Sequence, residues 1–109
     1  MEKELEVVRV PLFDGSNFAS WKFRIQVVLE EHGLLECIQS EMAEVEELQV
    51  KQEDTDAVRQ AKEQLVEKRR EKERRCKSIL ISRIHDSMLE YVQDKTTPRA
   101  IWLALEKSV

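Results

Sequence analysis

The side chains best suited to chemistry are few: His32, His85, Cys37 and Cys76 are the only histidines and cysteines in the sequence. Acid–base or nucleophilic catalysis needs such groups to converge with carboxylates or a hydroxyl. His32 falls at the end of a predicted helix, where an imidazolium is mildly favoured by the helix dipole. His85 lies between Ile84 and Asp86 on a segment whose other face is apolar. Both read as structural. The cysteines belong to no C-x-x-C pair, so a zinc knuckle is excluded, and they read as buried, reduced thiols acting as small hydrophobes. Asp14-Gly15-Ser16 has the residue types of an aspartic-protease turn in the wrong order, followed by a helix instead of strands. Gly15 and Gly33 are too far apart for a phosphate-binding loop, and no H-E-x-x-H appears. We therefore expect no catalytic residue, no cofactor and no metal site. The expected activity is binding to other macromolecules.

One electrostatic feature stands out. Lys68, Arg69, Arg70, Lys72, Arg74, Arg75 and Lys77 crowd into ten positions, diluted by Glu71 and Glu73. As a nucleic-acid contact, such a run would add salt-dependent affinity at each phosphate. As structure, it is a solvated helix face, or the counterpart of the acidic residues Glu41, Glu44, Glu46, Glu47, Glu53, Asp54 and Asp56 in a helical hairpin or an antiparallel pairing of two chains. No aromatic residue interleaves with the run, so base stacking is not supported. The whole chain is mildly acidic, with net charge −4 and pI about 5.3, where a nucleic-acid-binding domain usually reads as strongly basic.

The elements that must carry these residues follow from patterning. With 109 residues there is room for one modest core. Charged residues make up 37% of the chain against two glycines and two prolines, a balance that favours long helices with solvated faces. Residues 1–13, with Leu5, Val7, Val8, Val10, Leu12 and Phe13 around Pro11, read as an extended arm. Residues 14–17 form a turn ending in helix-capping types. A first helix is expected over 18–32, with Phe18, Trp21, Ile25, Val28 and Leu29 on one face and Phe23 and Val27 widening the buried stripe. Gly33 would stop it, and Leu34, Leu35, Cys37 and Ile38 would pack back on the core.

From 41 to 73 apolar residues thin out while helix formers dominate. The spacing predicts a solvated helical insertion, broken near 53–56 with Asp54 or Thr55 capping a restart. It would project from the domain or pair with a copy of itself. From 74 the core pattern returns: Cys76, Ile79, Leu80, Ile84, Met88 and Leu89 form one helical stripe that runs on to Tyr91 and Val92. Thr97 as cap with Pro98 in the first turn starts a last helix over 99–107. It buries Ala100, Ile101, Leu103, Ala104 and Leu105, with Trp102 at the edge of the stripe. The organisation read here is one all-α domain: arm 1–13, first helix and connection 14–40, insertion 41–73, second and third core helices 74–109. No apolar stretch approaches a signal sequence or the ~20 residues of a membrane span, so an intracellular, cytoplasmic protein without a membrane partner is expected.

Three blocks, in order, resemble the Gag capsid region of copia-type LTR retrotransposons. The first is Leu12-Phe13-Asp14-Gly15-Ser16-Asn17-Phe18 followed by Trp21-Lys22-Phe23-Arg24-Ile25. Here Gly15 makes the turn, Asn17 caps, and Phe18 and Trp21 pin the first helix. The second runs from Arg75 through Ile79 and Ile84 to Val92. The third is Thr96-Thr97-Pro98-Arg99-Ala100-Ile101-Trp102 and the residues after it. The resemblance covers roughly 10–38 and 74–107. It implies a small capsid-like N-terminal lobe that associates with copies of itself, or with full-length Gag-like proteins, and that is a polyprotein fragment or a host-adopted remnant. Segment 41–73 is longer than that family's connection, and the family's further capsid helices and RNA-binding zinc knuckle would lie beyond residue 109. RNA packaging is therefore not carried over, and RNA stays a partner only through the basic run. On this reading the lobe is incomplete, and Trp102 and Leu105 would be partly exposed.

Overall fold

The computed structural model describes residues 9–109. Among these the chain is mostly helical with no strand or sheet, an all-α fold. The elements are α1 (Phe18–Glu31), the one-turn α2 (Glu36–Gln39), two 3-10 turns (Met42–Glu44 and Glu46–Leu48), α3 (Asp56–Ser82), a 3-10 segment (Asp86–Tyr91) and α4 (Pro98–Lys107).

Helix α1 ends as expected from Gly33, which takes φ +71. The Gly33 N–H donates to Glu30 O at 3.0 Å and the Leu34 N–H to Leu29 O at 2.7 Å, the paired bonds of a Schellman stop. The chain thereby turns sharply, and Leu34, Cys37 and Ile38 are delivered to the core through α2. Helix α1 itself buries Trp21, Ile25, Val28 and Leu29. Phe23 and Val27 do not widen that stripe: they are 69% and 53% exposed. Each lies two residues from the fully buried Ile25, and at about 100° per residue two steps carry a side chain to the far side of a helix.

Helix α3 is continuous for 27 residues. The boundary expected at 73/74 therefore falls inside a helix, and the charged segment and the second core block share it. Thr55 caps it, its hydroxyl accepting from Val58 N–H at 3.2 Å. Upstream, 42–55 is not helical beyond its two 3-10 turns; it folds back along α3. Lys62 Nζ donates to Asp54 Oδ2 and Gln49 O, both at 2.7 Å, and Gln49 Nε2 donates to Met42 O at 3.0 Å. The second 3-10 turn packs on α3. The resulting shape is elongated, 50 × 31 × 19 Å with a radius of gyration of 15.7 Å. A globule of this length measures about 13 Å.

The helix expected to continue to Val92 stops at Ser82. There the incoming chain intervenes. Phe13 N–H donates to Arg83 O and His85 N–H to Phe13 O, each at 2.9 Å, forming an isolated parallel bridge between Phe13 and Ile84. Residues 86–91 then form a 3-10 helix begun by His85, whose Nδ1 accepts from Ser87 N–H at 3.1 Å. Of the predicted arm, 1–8 lie outside the described residues. Arg9 is helical, Pro11 and Leu12 belong to no regular element, and Val10 and Phe13 are buried.

Helix α4 starts at Pro98 as expected, with the Thr97 hydroxyl accepting from Ala100 N–H at 3.1 Å. Its buried face differs from the expectation. Trp102 and Leu105 are 3% and 0% exposed, while Leu103 is 39% exposed. The apolar face of α4 is thus covered within this chain, by α2 and α3 and by the aromatic residues of α1.

Candidate functional site

Of the residues singled out by the motif blocks, Phe13, Phe18, Trp21 and Trp102 converge on one aromatic cluster, whereas Arg24 is exposed. Phe13 lies edge-on to Phe18 with ring centroids 5.5 Å apart, and is 5.4 Å from Trp21. Trp21 stacks on Trp102 at 5.8 Å. Trp21 Nε1 donates to Arg83 O at 3.0 Å, so the indole N–H is satisfied where the ring is buried. Ile25 and Ile101 are fully buried, Ile84 nearly so, and Ile79 is half-buried against the same core. Arg83, which the patterning did not single out, ties this region together. Its carbonyl accepts from both Phe13 and Trp21, and its guanidinium donates to Val10 O at 3.0 Å. No sequence signal separates it from the other arginines.

The turn preceding α1 is built differently from the expectation. Gly15 has φ +95, and a side chain there would meet Met88 Sδ at 3.1 Å, so both conformation and space favour glycine. Asn17 makes no side-chain cap. Instead its Nδ2 donates to Leu12 O at 3.1 Å and its Oδ1 accepts from Asp14 N–H at 3.2 Å, closing the loop on itself. The Asp14 carboxylate accepts from the Ser16 hydroxyl and N–H, which hold its pKa below the ordinary value. These are structural roles.

The basic run is split by burial. Arg69 is 4% exposed. Its Nη2 donates to Ser40 O at 2.7 Å and to Glu36 O at 3.3 Å, and its Nε to Glu73 Oε2 at 3.1 Å. Arg99 Nη1 donates to Ile38 O at 2.8 Å. Two guanidiniums therefore bond the carbonyls of Glu36, Ile38 and Ser40, bracing the one-turn α2 and its C-terminal end. Arg69 is a core residue and cannot reach a phosphate. Lys72 pairs with Glu36 at 2.7 Å, and Arg70 lies 3.8 Å from Glu67. Lys68, Arg74, Arg75 and Lys77 make no ion pair among the described residues. At helical spacing Lys68 and Arg75 lie on one side of the buried face and Arg74 and Lys77 on the other, so they do not form a single basic patch. The acidic segment does fold back, but its partner is Lys62, not this run.

Cys37 and Cys76, from α2 and α3, are both fully buried and meet in the core. The hydrogen bond with Cys37, then burial, raises the Cys76 thiol far above its ordinary value. Cys76 is thereby held as the protonated, unreactive thiol at neutral pH. His32 is half-buried and His85 exposed, each on a different part of the fold. No metal-binding group of histidine, cysteine and carboxylates occurs among the described residues, and no described helix is long and apolar enough to cross a membrane.

Two apolar features remain on an otherwise charged surface. The outward face of α1 carries Phe23 and Val27, with Arg24 exposed beside them. Between this face and the chain at Arg9 and Val10 runs a shallow cleft of about 330 Å³. A second depression of about 410 Å³ lies beside Tyr91 and Leu103, edged by Lys95 and Lys107. The arrangement can bind apolar surface. No protein-family model matches the sequence, and no curated protein or solved structure matches it either. The resemblance to copia-type Gag rests on the three motif blocks alone.

Proposed function

We propose that this protein is a structural self-association module of the Gag capsid type, contributing protein–protein contacts to an oligomer or particle, and that it is not an enzyme. The observation that carries this reading is Phe23, 69% exposed on a helix whose opposite face is closed by the aromatic cluster. An aromatic side chain of this size, left in water beside a second exposed apolar residue, marks an interaction surface. Its motif blocks supply the core that holds that face rigid, which is what an assembly lobe needs. We place the protein inside the cell, in keeping with two buried cysteines held as thiols. Full-length proteins carrying the same lobe are the natural additional partners.

The test is absolute mass by light scattering over a concentration series at low and high salt. Dimers or larger species that persist at high salt are expected, because apolar contacts are not screened. A monomer throughout would sink the reading. The alternative is a nucleic-acid adaptor. It draws on Lys68, Arg74, Arg75 and Lys77, whose side chains are unpaired, and it predicts RNA affinity that collapses with salt and on their replacement by alanine.

A further inference from the structure

The geometry points to the outward face of α1 as a two-fold interface with a second copy of this chain, the two α1 helices running antiparallel and crossing at Val27. This deepens the proposed function and rests on it. The surface is defined by five exposed residues at helical spacing: Phe23, Arg24, Val27, Glu30 and Glu31. Phe23 and Val27 form its apolar centre line. Arg24 lies one turn before Val27, and Glu30 and Glu31 one turn after it. None of these three charges has an ion-pair partner among the described residues, while on the inner side of the same helix Lys22 is paired with Glu106 at 3.2 Å.

Charge placement selects the occupant and its direction. The face is basic at one end and acidic at the other, so it is complementary to itself when reversed. An antiparallel copy sets Arg24 of each chain against Glu30 and Glu31 of the other. A parallel copy would set Arg24 on Arg24 and acid on acid. Isologous contacts of this kind close as a dimer and use one patch twice. The reversed register also brings residue 23 of one chain opposite residue 31 of the other. That seats each Phe23 ring in the cleft of about 330 Å³, against Val27, Val28 and the stem of Glu31. The second depression, at Tyr91 and Leu103, is edged by lysines alone and lacks this self-complementarity.

Sedimentation equilibrium of the full chain, from about 10 μM to about 1 mM, tests the interface. Four proteins are compared: wild type, Phe23→Ser, Arg24→Glu, and the double variant Glu30→Lys with Glu31→Lys. Every substituted side chain is exposed, so far-UV circular dichroism, and thermal melting at a concentration where wild type is monomeric, should match wild type. The expected result is a wild-type dimer, with association at least about tenfold weaker in each variant. Mixing Arg24→Glu with the double lysine variant should restore a dimer containing one of each. Two outcomes overturn the inference alone: a Phe23→Ser protein that dimerises like wild type, or charge variants that stay apart when mixed. Either would leave self-association to another surface. A monomeric wild type would overturn this interface and the proposed function together.

Discussion

Arg69 and Arg74 are five positions apart in the same run and have opposite roles. The Arg69 guanidinium is enclosed and bonded to two carbonyls and a carboxylate, whereas the Arg74 side chain is exposed. Removing one partner from a buried ionic network leaves the others unsatisfied, at a cost of about 3–5 kcal/mol, while an exposed substitution stays within about 0.5 kcal/mol. Urea denaturation should therefore show Arg69→Ala losing several kcal/mol and Arg74→Ala almost none. The cysteines make a second contrast with what their spacing suggests. Distant in sequence, they meet in the core, fully buried. A thiol-reactive chromogen should label neither under native conditions and both in denaturant. Rapid labelling of the native protein would show that α2 lifts away from α3.

Helices α2 and α4 illustrate two ways of finishing a short element. Helix α4 has its own signal, Thr97-Pro98, and starts where that signal stands. Helix α2 has none; it is held by Arg69 and Arg99 reaching in from other helices. The fold-back of 42–55 is a third case, tied to α3 through Asp54 and Lys62. Asp54 accepts from Lys51 N–H at 2.8 Å and from Lys62 at 2.7 Å, and these bonds lower its pKa below the ordinary 3.8. A depressed carboxylate contributes stability that is fully present above its unfolded pKa and is lost as pH falls through the folded one. Stability should therefore be flat near neutrality and decline below about pH 3.8. Asp54→Asn should be less stable at pH 7 and show a shallower acid decline in denaturant melts at pH 7 and pH 3. An unchanged slope would mean that Asp54 does not anchor the segment.

The molecule as a whole is a small, closed core with half a helix extending from it. Residues of α3 from 69 onward contribute Arg69, Cys76 and Leu80 to the interior, whereas 56–68 contribute no buried side chain. Amides held only by local helix bonds open far more often than those under a packed face. Hydrogen exchange should grade along α3, with amides in 60–66 exchanging well before those in 74–80. Uniform protection along the helix would indicate that the outer half is closed over by segment 42–55 or by another chain. Two molecules paired through α1 would leave that half free, so exchange and mass measurements report on different surfaces.

Much of the architecture was legible from local chemistry. The Gly33 stop, the Thr55 and Thr97 caps and the Trp21–Ile25–Leu29 stripe depend on interactions within a turn or two, which spacing alone encodes. The position of Phe23 was also legible in principle, since two residues from Ile25 it must face away; hydrophobicity outweighed phase in the expectation that it is buried. Other features depended on residues brought together from far along the chain. Helix α3 ends at Ser82 because Phe13 arrives to take its place beside Ile84. Trp102 is central because Trp21 and Phe18 come to lie beside it. Arg69 left the basic run because the carbonyls of α2 needed donors. Patterning determines which residues form helices and which face is apolar; only packing decides which helix covers that face, and which charge is enclosed with it.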